Sequence, residues 1–144
     1  TKAVGCQWTE GGLEMLYVQQ HTLLAARAAG IEYPICGGPL EIRNQEIVGN
    51  QLRRSRQQGY RGALLIHPSQ VEPANTVFAP SPEEIAWNKG VLEAMAGAEA
   101  AGRAAVTYDG MMIDYAHVRN ALDLLHQAEA FGLPVGQLPA IKAL

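Results

Sequence analysis

A histidine that closes a short apolar run and an aspartate that opens a helix are the two side chains in this sequence best placed to do chemistry. His67 ends the run Gly62-Ala63-Leu64-Leu65-Ile66 and stands directly before Pro68. In parallel α/β architectures the C-terminal strand ends form the ligand crevice, so an imidazole there can meet a substrate. The plainer alternative is a polar side chain that caps the strand end by bonding to backbone. Asp114 follows Met111-Met112-Ile113 and precedes a helical stretch. A carboxylate there is either a functional group or the N-cap that accepts the first amides of the helix. Asp109 stands beside Gly110 and is read as a turn residue, because both positions tolerate positive φ. Arg53, Arg54, Arg56 and Arg61 form a basic cluster that either meets phosphate or is the solvated face of a helix. His21, His117 and His126 lie in helical stretches without a metal-ligand partner at i+4 and are read as structural.

The elements that must position these residues alternate. Leu13, Leu16, Tyr17, Leu24 and Ala28 fall at helical spacing, with Gly11 and Gly12 before them and Gly30 as a stop. Ile31 to Cys36 reads as a strand, although Pro34 lacks a ladder donor. Asn44 caps a second helix running to about Gln58, with Ile47, Val48 and Leu52 inward, and Gly59 ends it. Gly62 to His67 has the look of a strand buried on both faces. Helix and strand alternating over short connections argue for βα units around a parallel sheet. Two strands cannot close a barrel or cover both faces of a sheet, so this part requires further strands from its own chain or another. Ser81, Pro82 and Glu84 then give a capping serine, proline at the first helical position and a capping-box glutamate. That helix should run to about Ala101, with apolar residues on two faces. A small hairpin around Asp109-Gly110 is expected over 105–113, then a last helix from about Tyr115 to Phe131 and an irregular tail.

Composition narrows the function classes. The 144 residues are 48% hydrophobic and 17% charged, the profile of an ordinary globular unit. Eleven basic against fourteen acidic residues give a net charge of -3, so no electrostatic argument favours nucleic acid or an anionic membrane surface. No apolar run approaches the roughly 18 residues of a membrane helix, and no signal-peptide pattern is present. Cys6 and Cys36 lack metal-ligand spacing and fit a reducing, cytoplasmic compartment. The patterns GxGxxG, GxxxxGK[ST], GxSxG and HExxH do not occur. The chain starts at Thr1, before a Gly-containing segment that reads like the end of a strand, and is expected to begin within a domain.

Several motifs in order carry a resemblance: Gly59-Tyr60-Arg61-Gly62, Ile66-His67-Pro68-Ser69-Gln70, Phe78-Ala79-Pro80-Ser81, Trp87 and Gly110-Met111-Met112-Ile113-Asp114. Over roughly residues 11 to 132 the chain resembles the C-terminal half of the citrate lyase β-subunit-like and malyl-CoA/citramalyl-CoA lyase family. The upstream stretch Leu23 to Ile31 resembles the family helix that leads into the seventh barrel strand.

The resemblance implies an α/β fold that is the C-terminal part of a TIM-like (β/α)8 barrel with a helical C-terminal extension and a small hairpin. Residues 1–80 would be the last barrel strands and helices, and residues 81–144 the extension covering a neighbouring active site. It implies a carbon–carbon lyase of 3-hydroxyacyl-CoA thioesters of the malyl, citramalyl or citryl type, giving an acyl-CoA and a 2-oxo acid through an enolate. Asp114 matches the family's catalytic acid/base, acting on a neighbouring subunit of a trimer or hexamer. Ile66 and His67 match the segment that contacts the CoA thioester in the family, largely through backbone, so the resemblance does not require His67 itself to be catalytic. Mg2+ is the implied cofactor, with ligands expected outside this chain segment; where the family has an acidic metal segment, this chain reads Gly5-Cys6-Gln7-Trp8. The usual Gly-Lys before the strand is Gly62-Ala63, and the usual Pro two residues after the motif's Asp is Ala116. The competing expectation is a non-catalytic half-barrel that serves assembly or binds a CoA ester.

Overall fold

The computed structural model describes residues 5–141; the reading of Thr1 as a start within a domain lies outside them. The chain divides into two compact units, Thr1–Phe78 and Ala79–Leu144.

In the first unit, helix α1 (Leu13–Ala28) leads to strand β1 (Ile35–Gly37), helix α2 (Gln45–Gln58) and strand β2 (Gly62–Leu64). The strands pair in parallel with Ile35 opposite Gly62, Cys36 opposite Ala63 and Gly37 opposite Leu64. Asn44 caps α2 by accepting from the amides of Glu46 and Ile47, and Gly59 closes it at φ 109°, a backbone conformation that glycine adopts without the cost borne by a Cβ. The core gathers Val48, Leu52, Tyr60, Val77 and Phe78. Tyr60 donates its hydroxyl to the Gln19 carbonyl at 2.7 Å, tying α1 to the junction of α2 and β2.

Helix α1 forms where the spacing predicts, with Leu23 buried and Leu13 and Tyr17 each 78% exposed. Two strand expectations need correction. β2 is shorter than expected and is not buried on both faces, since Leu64 and Ile66 are 64% and 60% exposed. The first strand likewise covers only Ile35–Gly37, because Ile31 to Pro34 form bends and coil after α1. Beyond β2 the chain is ordered as well: a 3-10 turn at Pro68–Gln70 runs into helix α3 (Val71–Phe78), which buries Ala74, Val77 and Phe78. Pro73 sits in the first turn of α3, where a missing amide costs no helical bond.

In the second unit, Ser81 and Glu84 form the reciprocal capping box at the start of helix α4 (Pro82–Ala100), Ser81 accepting from the Glu84 amide and Glu84 from the Ser81 amide. Strands β3 (Val106–Tyr108) and β4 (Met111–Ile113) pair antiparallel, with Asp109 and Gly110 between them at φ 48° and 75°. Helix α5 (Tyr115–Ala130) packs on α4 around Leu92, Met95, Ile113, Val118 and Leu125, each fully buried. Burial of each such side chain contributes about 1.5–3 kcal/mol relative to exposure. Gly90 of α4 lies where Tyr108 packs; a Cβ there would stand 1.9 Å from the tyrosine oxygen.

Candidate functional site

The sequence-singled residues fall in both units, Ile66 and His67 in the first and Asp114 in the second. Ile66 and His67 follow β2 at its C-terminal end. The loop after β1 lies at the corresponding end of its own strand, because the two strands are parallel. The approach of these strand ends is close: a Cβ on Gly38 would stand 2.0 Å from the Leu64 carbonyl oxygen, so only glycine fits.

His67 begins the 3-10 turn with extended backbone, φ -149°. Its Nδ1 lies 3.2 Å from the Ser69 amide, which donates to it, and 2.8 Å from Ser69 Oγ. Ser69 Oγ is also 2.9 Å from the Ile42 carbonyl. With Nδ1 accepting, the neutral ring carries its proton on Nε2, which leaves that N–H for a ligand. The capping role weighed from sequence is therefore realised, and it fixes the ring rather than consuming it. The adjacent loop is braced by Glu41, whose Oε1 accepts from the amides of Ile42, Arg43 and Asn44 at 2.9, 2.6 and 3.0 Å. Those amide bonds, foremost that of Arg43, hold the Glu41 carboxyl below the ordinary carboxylate range.

The fully buried residue at this end is one that sequence reading gave no role. Gln70 is 0% exposed. Its Oε1 accepts from the amides of Ile66 and His67 at 3.0 and 3.2 Å, and its Nε2 donates to the carbonyls of Pro39 and Glu41, both at 2.8 Å. The Pro-Ser-Gln sequence after His67 was available as a signal, but burial of a glutamine does not show in a sequence.

Asp114 is the N-cap of α5. Its Oδ1 accepts from the amides of Ala116 and His117 at 2.9 and 3.3 Å and lies 2.8 Å from His117 Nδ1. His117, read from sequence as merely structural, is thus the partner of the aspartate. The His117 side chain, whose Nδ1 is also 3.3 Å from the Asp114 amide, is the largest influence on the Asp114 carboxyl, with the amides of His117 and Ala116 adding to it, and together they lower its pKa from the ordinary aspartate value. The two side chains are 44% and 41% exposed, so Oδ1 is fixed while the carboxylate remains open to an incoming group. Next to it, Tyr115 donates its hydroxyl to Glu99 Oε1 at 2.9 Å, fastening the start of α5 to α4.

In the basic cluster Arg53 is exposed on α2, as a solvated helix face requires, and Arg54, Arg56 and Arg61 are partly buried. Arg54 donates to the backbone carbonyls of Glu10 and Gly11 ahead of α1, and Arg53 donates to Asn50 Oδ1 at 2.6 Å. Among the described residues no three His, Cys, Asp or Glu side chains are grouped to hold a metal ion. Mg2+ requires a near-octahedral shell of oxygen ligands, and the Gly5-Cys6-Gln7-Trp8 segment offers no carboxylate toward one, so these residues do not fit a Mg2+ site. No helix of the described residues is long and apolar enough to cross a membrane. Cys6 and Cys36 are both free thiols.

The chain is thus an α/β protein with a strand-end site in one unit and a helix-capping carboxylate in the other. No family model matches it. It is 34% identical to a (3S)-malyl-CoA thioesterase of Cereibacter sphaeroides over 90% of this chain and 45% of that protein. It is 34% identical to a citrate lyase subunit beta-like protein of Deinococcus radiodurans over 89% and 45%, and 36% identical to an L-malyl-CoA/beta-methylmalyl-CoA lyase of Cereibacter sphaeroides over 78% and 35%. Among solved structures, a citrate lyase from Burkholderia xenovorans superposes with TM-score 0.71 at 28% identity, covering 87% of this chain and 38% of that one. The protein CitE from Mycobacterium tuberculosis, in complex with magnesium, acetoacetate and coenzyme A, superposes with TM-score 0.71 at 26% identity, covering 87% and 46%. The chain belongs to the citrate lyase β-subunit-like and malyl-CoA lyase family. It spans less than half the length of these relatives.

Proposed function

We propose that this chain supplies the C-terminal part of a lyase that cleaves or forms the carbon–carbon bond of a 3-hydroxyacyl-CoA thioester of the malyl, citramalyl or citryl type. The observation that carries this reading is the geometry of Asp114 within a chain of this family: one oxygen is locked by two amides and His117, and the carboxylate is partly open. In the condensing direction the carboxylate takes a proton from the α-carbon of the acyl-CoA, and the resulting enolate carbon bonds to the carbonyl carbon of the 2-oxo acid, whose oxygen becomes the hydroxyl after protonation. In the cleaving direction that bond breaks, the hydroxyl returns to a carbonyl, and protonated Asp114 gives its proton to the enolate carbon. The lowered pKa of Asp114 leaves it ionised at neutral pH, the form that accepts a proton. Acting as an acid would require covering it in a closed site, where desolvation raises a carboxyl.

Ile66 and His67 would meet the CoA thioester at the strand end, with the His67 Nε2 proton available to it. In this reading the two units are the last part of a TIM-like barrel and its extension, and the exposed Leu64 and Ile66 are covered by strands that these described residues do not contain. Mg2+, which the Mycobacterium tuberculosis neighbour holds, would be bound by residues outside this segment. Asp114 would serve a neighbouring subunit in a cytoplasmic trimer or hexamer.

Asp114→Asn tests the assignment. In an assembly that turns over malyl-CoA, the amide keeps the helix cap but cannot carry the proton, and turnover should fall by about 10²-fold or more with CoA-ester binding nearly intact. Unchanged turnover removes the catalytic role. A second reading is favoured by the name of a relative, a malyl-CoA thioesterase: release of free CoA and malate from malyl-CoA, in place of acetyl-CoA and glyoxylate, would establish hydrolysis.

A further inference from the structure

Gln70 sits between two loops that leave the same ends of two parallel strands, and it uses the whole bonding capacity of its side chain there. A primary amide offers two N–H donors and two acceptor lone pairs. Both donors go to carbonyls of the β1 loop, Pro39 and Glu41, and both lone pairs take amides of the β2 loop, Ile66 and His67. The partners also fix which end of the amide is which, because a flipped side chain would set N–H against N–H and oxygen against oxygen. Gln70 is fully buried, so loss of any of these bonds leaves a polar group without water.

The geometry points to Gln70 as a positioning residue that locks the Pro39–Ile42 and Ile66–His67 loops into one wall and sets the His67 ring for an acyl-CoA thioester. This rests on the lyase reading for its ligand. Three consequences follow from the bonds. The amides of Ile66 and His67 are spent on Gln70, so the ligand is met at this point by the His67 Nε2 proton rather than by those N–H groups. The Ser69 hydroxyl, within reach of both the Ile42 carbonyl and His67 Nδ1, ties the ring to the same wall. The β1 loop, which sequence reading left without a role, becomes part of the site.

The test begins on the unsubstituted 144-residue chain, with hydrogen exchange followed by NMR. The two side-chain amide protons of Gln70 should exchange roughly tenfold or more slowly than those of the exposed Gln57. Exchange at the same rate overturns the clamp without any variant. Gln70→Met should then raise exchange at the Ile66 and His67 amides roughly tenfold while Val48 and Leu52 stay protected, and should release the His67 ring from its single tautomer. Gln70→Glu keeps an acceptor for those amides and should restore their protection, though it sets an anion against two carbonyls. Unaltered His67 nitrogen shifts and amides in a folded Gln70→Met chain also overturn the proposal. In an assembly that turns over malyl-CoA, Gln70→Met should raise KM for the thioester roughly tenfold with kcat within about twofold, whereas an equal fall in kcat and kcat/KM would contradict a positioning role. If the unsubstituted assembly gives no turnover, the lyase reading fails and the exchange results still decide the clamp.

Discussion

The two units treat apolar side chains in opposite ways. In Ala79–Leu144, α4, α5 and the β3–β4 ribbon turn their large apolar residues inward, and Met111, Met112 and Phe131 are the large ones left exposed among the described residues. In Thr1–Phe78, a comparable number of helices and strands leaves Leu13, Tyr17, Leu24, Ile35, Leu64 and Ile66 facing solvent. The difference lies in what each set of elements can cover. Two long helices and a short antiparallel ribbon close on one another, whereas a pair of parallel strands with helices on one side leaves a face bare. The second unit therefore closes a core beneath the Asp114 cap, and the first leaves one face of its two-stranded sheet exposed among the described residues.

The largest expected effect contrasts the two surfaces. Leu125→Ala should cost about 2–5 kcal/mol in denaturant unfolding, since it opens a cavity between α4 and α5, while Leu64→Ala in this chain should change stability by less than about 0.5 kcal/mol. Equal costs would end the comparison. A second contrast lies within α4. Gly90→Ala should destabilise by about 1–3 kcal/mol because the new methyl meets the Tyr108 ring, whereas Gly97→Ala, with nothing within 4 Å, should stabilise by up to about 1 kcal/mol through helix propensity alone. Thermal unfolding of the two variants side by side reads this directly. The smallest effect concerns the cap. Asp114→Ala should cost about 1 kcal/mol of the second unit's stability, and Asp114→Asn much less. Because the folded carboxyl titrates below its unfolded value, its stabilisation is complete above about pH 4 and fades as the pH falls through the lower folded value. Asp114→Asn should remove that part of the acid dependence in a pH series of melts.

Helices were the legible part of the fold because their ends are written in single residues. Asn44, Ser81 with Glu84, and Gly59 each do in the structure what their types predict. The α3 helix was missed because Pro73 reads as a breaker when its place in the first turn is unknown, and because a 3-10 turn feeds it. The α1 apolar residues showed that periodicity gives the helix but not which way it faces. In the candidate site, His67 and Asp114 were visible as types at element ends, and both proved to be caps as well. His117 and Gln70 were not, since their significance rests on a 2.8 Å approach and on complete burial, which a single sequence does not encode.

The parallel pair Ile35–Gly37 and Gly62–Leu64 has two edges and no inner strand among the described residues. Each edge presents backbone donors and acceptors to whatever extended segment comes past. In a concentrated solution of this chain alone, the commonest such segment is the same strand of another molecule. Each such meeting extends the two-stranded sheet by a strand.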